Sequence, residues 1–399
     1  MAKETKVYKG LAYHFIKFLL RLVSPFVFGY TTKSKYKIKK GESVVVISNH
    51  QTDFDAILMH LSFNKILRTL TTDNVFKKGI GGHFVKRFGC FPKRKGAMDL
   101  KSNMDMMRLV RKKESLIIFP EGNRSYAEFQ YYVNEGFGKI LKILKTTIII
   151  FTFHGGTGRY PRFAKKPRRG KFYGEITRIM PYEEYKDIPD EELTKLIMDS
   201  IKVYDSESGE LYKYKARAEF LERELFVCPK CGKHSHLISK GHNIVCEECG
   251  FEATFNENLS FSSEDPSFKF EKMLDWYNYQ IRYVRDMKIE KGELIFKDSN
   301  IVLKTTNPYE KSRLLYEGDM KLYEDKLVFG DITYDIHDIS VSSPLSGKKL
   351  LFTIGDDEFV VVGHDRFNPL KYILMFNKLD TKMKLNNLDN YFRLEEQHE

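Results

Sequence analysis

Three short apolar runs in the first half of the chain, 44–48, 116–119 and 147–153, each give way to a loop of polar and small residues. Runs of this length without polar alternation predict strands buried on both faces. Between them, 53–61 reads as a helix entered through a Thr52 or Asp53 cap, and 98–112 as a longer amphipathic helix. This alternation predicts an α/β domain with a mixed, largely parallel sheet flanked by helices. Pro189-Asp190-Glu191-Glu192 opens a further helical region, expected to run to about Leu225 with a break near 206–209. Near the start, Leu11, Phe15, Phe18, Leu19, Leu20, Leu22, Val23, Phe26, Val27 and Phe28 form an apolar series that His14, Lys17 and Arg21 interrupt. No charge-free run of about 18 apolar residues results, so an amphipathic helix lying at a membrane interface is expected within 1–32, rather than a span. No small-residue cleavage site follows it, which argues against a signal peptide.

Past residue 225 the texture changes twice. A compact segment carries four of the chain's 5 cysteines, and an aromatic-rich helical stretch over 268–287 then holds the only tryptophan, Trp276. Short β-rich runs follow at 294–296, 301–304, 321–323, 326–329, 332–336, 339–342, 350–354 and 358–362, closed by a helix over 368–379. Successive short strands ending in one helix suggest a small antiparallel barrel or sandwich, similar in layout to a pleckstrin-homology-type domain. The expected domains are an interface helix over 1–32, an α/β domain over 33–225, a metal ribbon over 226–253 and a β-rich domain over 262–399.

A chain of 399 residues with 42% hydrophobic residues has ample apolar surface for several packed cores, which excludes wholesale disorder. Its formal net charge of +12 points to an anionic partner: nucleic acid, acidic lipid or an acidic carrier protein. The basic residues cluster at the N-terminus, from Lys3 to Lys40, and again from Arg159 to Lys171. The cysteines fall as Cys228-x2-Cys231 and Cys246-x2-Cys249, with Cys90 apart. Two such pairs read as a zinc ribbon in a reducing compartment rather than as disulfides, and four thiolates make a closed, structural site. Residues 237–239 and 243–245 can pair across Lys240-Gly241-His242 as a hairpin. His234, His236 and His242 are alternative ligands. Cys90 is expected to be a buried, inert thiol, and His154 to play a structural or substrate-gorge role.

The candidate chemistry sits where two of the predicted strands end. After 44–48 comes Asn49-His50-Gln51-Thr52-Asp53-Phe54-Asp55, a histidine five positions before a carboxylate. After 116–119 comes Pro120-Glu121-Gly122-Asn123-Arg124-Ser125, a carboxylate and an arginine around a glycine. A base with an orienting acid, together with a separate anion clamp, suggests hydroxyl attack and a phosphate-bearing substrate. Asp53 is read as a helix-capping residue.

At these residues the chain resembles the glycerolipid acyltransferases, in particular the lysophosphatidate (1-acylglycerol-3-phosphate) acyltransferases. Asn49, His50 and Asp55 match that family's N-H-x4-D block. Residues 119–125 match F-P-E-G-T-R-S, with Asn123 in place of threonine. Gly89 and Arg94 look like a second block, and 148–153 loosely echo a fourth that usually ends in proline-valine. The likeness covers roughly residues 10 to 220. It implies that His50 is the general base and Asp55 its orienting acid. It implies that Arg124 and Arg94 hold the substrate phosphate, that Gly122 lets the backbone approach the ligand, and that Glu121 positions glycerol or supports the loop. Asn123 keeps a hydrogen-bonding side chain at its position.

The implied reaction moves a fatty acyl chain from acyl-CoA or acyl-carrier protein to the free hydroxyl of lysophosphatidate. An alternative keeps the chemistry on glycerol-3-phosphate or another lysophospholipid. From another class comes a zinc-ribbon nucleic-acid-binding protein, which leaves both blocks unexplained, so nucleic acid is not the expected partner. The expected partners are an anionic membrane surface, a lysophospholipid acceptor and an acyl donor. The expected place is the cytoplasm of a bacterial cell, peripheral (monotopic) on the inner face of its membrane.

Overall fold

The computed structural model describes residues 7–8, 10–72, 87–93, 100–306 and 312–379. The chain divides into two compact units. Unit 1 comprises 1–125, 133–159 and 169–208, and unit 2 comprises 126–132, 160–168 and 209–399.

In unit 1 the described strands are β1 (Tyr30–Thr32), β2 (Val44–Ser48), β3 (Leu67–Thr72), β4 (Cys90–Lys93), β5 (Ser115–Ile118), β6 (Thr147–His154) and β7 (Phe172–Met180). They form one sheet in the order β1-β7-β6-β2-β5-β3-β4. Every pairing is parallel except β6 with β7. The sheet is thus mixed and largely parallel, as expected. β2, central and buried throughout, lies between β5 and β6, so the two motif-bearing loops leave adjacent strands at the same end. That adjacency follows from parallel pairing, which sends neighbouring strands out on one edge.

The described helices of this unit are α1 (Gly10–Val27), α2 (Asp55–Met59), α3 (Leu100–Arg111), α4 (Gly136–Leu144), α5 (Gly156–Arg159), α6 (Tyr182–Tyr185) and α7 (Asp190–Ser200). α1 turns its polar edge inward. Tyr13 donates to the carbonyl of Lys65 at 3.0 Å, Lys17 to that of Phe63 and Arg21 to that of Leu61, so three successive turns dock on the segment 61–65. Leu11, Phe15, Phe18, Leu22 and Phe26 stay exposed.

One expectation for this unit needs correction. The helical region opened by Pro189 ends at Ser200, and the later stretch to Leu225 holds only short 3-10 turns at Asp205–Glu207 and Leu221–Arg223. Phe220 adopts φ +71, outside any right-handed helix. Strand β7 carries no apolar run that would announce it, because Glu175, Thr177 and Arg178 interrupt its sequence.

Unit 2 begins with a four-stranded ribbon sheet: β8 (Leu237–Lys240), β9 (Asn243–Cys246), β10 (Glu252–Phe255) and β11 (Phe261–Ser262). Helix α8 (Met273–Asp286) follows, and Trp276 on it packs edge-on against Phe251, Phe261 and Phe268. The indole N–H donates to the carbonyl of Val227 at 2.9 Å, which ties helix to ribbon.

The β-rich region then runs β12 (Leu294–Thr305), β13 (Leu314–Tyr323), β14 (Lys326–Phe329), β15 (Ile332–Asp335), β16 (Ile339–Ser346), β17 (Lys349–Ile354) and β18 (Asp357–Val362). They pair antiparallel in the order β15-β14-β13-β12-β18-β17-β16, and helix α9 (Pro369–Leu379) closes the series as expected. The runs 294–296 and 301–304 are one strand, interrupted by a register shift between Asp298 and Ile301 where Asn300 takes φ +57. The ribbon, α8, this sheet and α9 share one hydrophobic core.

Candidate active site and metal centre

β2 stops at Ser48 because the next side chain takes over the ladder. Asn49 Nδ2 donates to the carbonyl of Phe153 at 2.9 Å, and its Oδ1 accepts from the Phe153 N–H at 2.8 Å. The backbone is thereby released to turn while β6 remains satisfied. His50 emerges from that turn, stacked on Phe119 with ring centroids 4.3 Å apart.

Asp55 is fully buried in the first turn of α2 and folds back over the loop. Its Oδ2 lies 2.9 Å from His50 Nδ1 and accepts from the N–H groups of Gln51 at 2.7 Å and Thr52 at 2.8 Å. Thr52 Oγ1 donates to its other oxygen at 2.5 Å. A buried carboxylate needs such donors, and these fix its direction toward the ring. With Nδ1 held by the acid, the imidazole presents Nε2 on its opposite edge, the arrangement of a general base and its orienter. His50 remains 23% exposed, so a substrate can reach it.

The second loop is a β-turn in which the Gly122 N–H donates to the Phe119 carbonyl at 3.0 Å. Pro120 stands at its second position and Gly122 at its fourth, the sequence preference of a type I turn. Gly122 has φ +68 in open space, so its backbone angle, not crowding, demands glycine. The Ser125 N–H donates to the His50 carbonyl at 3.1 Å and stitches the loops together. Arg124 reaches across: its Nε donates to the Gln51 carbonyl at 3.0 Å, and Nη1 pairs with Asp53 at 2.9 Å.

Asp53 therefore faces Arg124 instead of capping the helix, and α2 starts with no side-chain cap. The reason is electrostatic, since a guanidinium already hydrogen-bonded to the loop through the Gln51 carbonyl offers the carboxylate more than a backbone N–H does. His50, Asp55 and Arg124 thus converge on one loop pair. Glu121, Gly122 and Asn123 share the turn that presents Arg124. Arg94 lies outside the described residues.

Residues 30–153 match the family model described as Acyltransferase, and His50, Asp55, Glu121, Gly122, Asn123 and Arg124 all fall inside that match. This stretch is acyltransferase-like. A crystal structure of the 1-acyl-sn-glycerophosphate (LPA) acyltransferase PlsC from Thermotoga maritima overlaps with a TM-score of 0.40 at 16% sequence identity, covering 48% of this chain and 78% of that one. So loose an overlap carries no weight for fold or activity. No curated protein matches the chain.

Cys90, His154 and part of the second basic cluster have structural surroundings of their own. Burial pushes the Cys90 thiol up to about 12, which keeps it protonated and inert. His154 sits 2.9 Å from Thr152 Oγ1 and 3.3 Å from Glu175, stacked on Tyr173. Burial lowers its pKa. Much of the second basic cluster is engaged internally. Arg159 donates to the carbonyls of Phe28 and Gly170 within unit 1. In unit 2, Lys165 pairs with Asp365, and Arg168 is buried between the rings of Phe163 and Phe255.

The four paired cysteines in unit 2 bring their sulfurs within 4.8 Å of one another. Cys228 and Cys249 are 3.6 Å apart at sulfur, and Cys231 and Cys246 are 3.9 Å apart. Tetrahedral bonds of about 2.3 Å would set sulfur–sulfur edges at roughly 3.8 Å, so the donor set fits zinc in both chemistry and spacing. The two turns repeat each other: the N–H groups of Gly232 and Gly250 donate to the carbonyls of Cys228 and Cys246, at φ +69 and +70. The hairpin expected across Lys240-Gly241-His242 forms between β8 and β9.

Proposed function

We propose that the protein transfers a fatty acyl chain from an acyl thioester, acyl-CoA or acyl-carrier protein, to the free hydroxyl of lysophosphatidate, producing phosphatidate. The observation that carries this reading is the His50–Asp55 pair joined through Gln51 to Arg124, a base and an anion clamp on adjoining loops of an acyltransferase-like domain. His50 Nε2 accepts the acceptor's hydroxyl proton as that oxygen attacks the thioester carbonyl. The carbon–sulfur bond breaks, and the thiolate takes the proton from His50, leaving the enzyme as it began. Asp55 stabilises the transient imidazolium. Arg124 holds the phosphate with a planar, permanently charged fork, for which Asp53 stands in when no substrate is bound. Cys228, Cys231, Cys246 and Cys249 would hold a zinc ion, which would supply folding energy to the ribbon and no reactive position.

The acceptor is a lipid, and α1 supports a membrane-surface location. Length and composition alone would allow this helix to cross a bilayer. Its polar edge is docked along the domain and its phenylalanines and leucines face outward, which favours lying in the interface. Lys33, Lys35, Lys37, Lys39 and Lys40, all exposed, add attraction for anionic lipid. The test is acyl transfer by purified protein to a panel of lysophosphatidate, glycerol-3-phosphate and other lysophospholipids, each offered both donors. Preference for lysophosphatidate is expected, and no transfer to any acceptor would sink the reading. Flotation with anionic vesicles should succeed for the intact chain and fail for Phe15→Asp/Phe18→Asp.

A further inference from the structure

We propose that Asp205 is a positioning residue for acyl transfer, acting through the side chain of Gln51 to hold the His50–Asp55 pair and Arg124 in one arrangement. Asp205 lies beyond the acyltransferase match, 150 residues along the chain from Asp55, and nothing in its local sequence marks it. It is buried, 1% exposed. Its Oδ1 accepts from the Gly155 N–H at 2.6 Å, and its Oδ2 from the N–H groups of Thr157 at 3.0 Å and Gly158 at 3.4 Å. Oδ2 also accepts from Gln51 Nε2 at 3.3 Å. Gln51 Oε1 in turn accepts from the Gly156 N–H at 2.9 Å. One carboxylate and one amide together satisfy four consecutive backbone donors, Gly155 to Gly158, at the end of β6.

The site side of Gln51 is equally committed. Its N–H donates to Asp55 and its carbonyl accepts from Arg124, so backbone and side chain of one residue meet the acid, the clamp and Asp205. Gly156 packs so closely that an added Cβ would lie 2.6 Å from Gln51 Oε1 and 2.7 Å from its Cβ. Gln51 therefore has no room to swing. A carboxylate buried among neutral amide donors is costly to keep, and burial pushes Asp205 up to about 6 against the pull of those donors. Its acceptor-only character explains its presence. Four converging N–H groups need two oxygens, and an asparagine would turn a donor toward one of them.

This inference rests on the proposed acyl-transfer reading, and its test is built to fail separately. Asp205→Asn, Gln51→Ala and the double variant are assayed with the full chain, and amide exchange at Gly155–Gly158 is followed without substrate. Each single change is expected to lower kcat/KM about 10- to 100-fold, because sub-ångström misplacement of reacting groups is that expensive. The loss should divide between lower kcat, through Asp55, and higher acceptor KM, through Arg124, with donor KM held. The double variant should fall no further than the worse single one, since both cut the same link. Exchange at Gly156 should quicken at least tenfold in Gln51→Ala, which leaves the three backbone bonds to Asp205 in place. A purely structural Asp205 would instead lower thermal stability while the folded fraction kept its kinetic constants. Additive kinetic losses, or unchanged Gly156 exchange in Gln51→Ala, would overturn the proposal. If Asp205→Asn does not fold, Gln51→Ala alone carries the test. If the wild-type chain transfers to no acceptor, the acyl-transfer reading fails while the exchange data still judge the link.

Discussion

The His50 loop and the cysteine ribbon are both sharp turns organised around a convergence of donors, yet they leave opposite things available. In the ribbon, four sulfurs close on a single point, so a bound ion has no position left for a substrate. In the loop, the donors converge on Asp55, and the group that Asp55 orients stays partly open to solvent. The contrast teaches where chemistry can reside. A site whose every position is taken by its own ligands stabilises a fold, and a side chain held rigid from behind but left accessible in front can react. Unit 1 holds the second kind and unit 2 the first.

The sharpest way to break this comparison is Asp55→Asn. The asparagine keeps the volume, and its amide oxygen can take the place of Oδ2, but it carries no charge to stabilise the imidazolium, so kcat should fall on the order of 10² to 10⁴. Steady-state kinetics showing a loss below tenfold would remove the orienting role. A smaller effect is expected from Arg124→Lys, which retains the charge and loses the fork. Acceptor KM should rise roughly tenfold with donor KM unchanged. The reverse split, donor KM rising alone, would assign Arg124 to the thioester. Cys231→Ser should have the least effect on transfer, no more than a few-fold, while metal analysis falls from one zinc per chain to none. Limited proteolysis should then cut within 226–251, since metal binding and folding are coupled in so small a module. Full loss of transfer with the fold preserved would move the metal into the chemistry.

How much of this was legible beforehand depended on the reach of each interaction. His50 and Asp55 are five residues apart, so the turn that joins them is written locally, and the strand ends that present both loops show as apolar runs. The β-rich region was equally readable, because antiparallel strands joined by short turns announce themselves one by one. Asp205 and Gln51 were not. Their partnership spans 154 residues and exists only once β6 and the segment after α7 are folded beside each other. Asp53 failed for the opposite reason: a local rule, helix capping, was overruled by Arg124 arriving from another strand end. Strand β7 escaped because its polar positions break any apolar run.

The central claim is that transfer chemistry resides in the His50 loop and not at the metal. The most direct measurement is acyl transfer and zinc content determined together on His50→Ala. The account predicts a fall in kcat of about 10² to 10⁴, with one zinc per chain and an unchanged thermal transition. Near-wild-type transfer by a folded His50→Ala protein would contradict it.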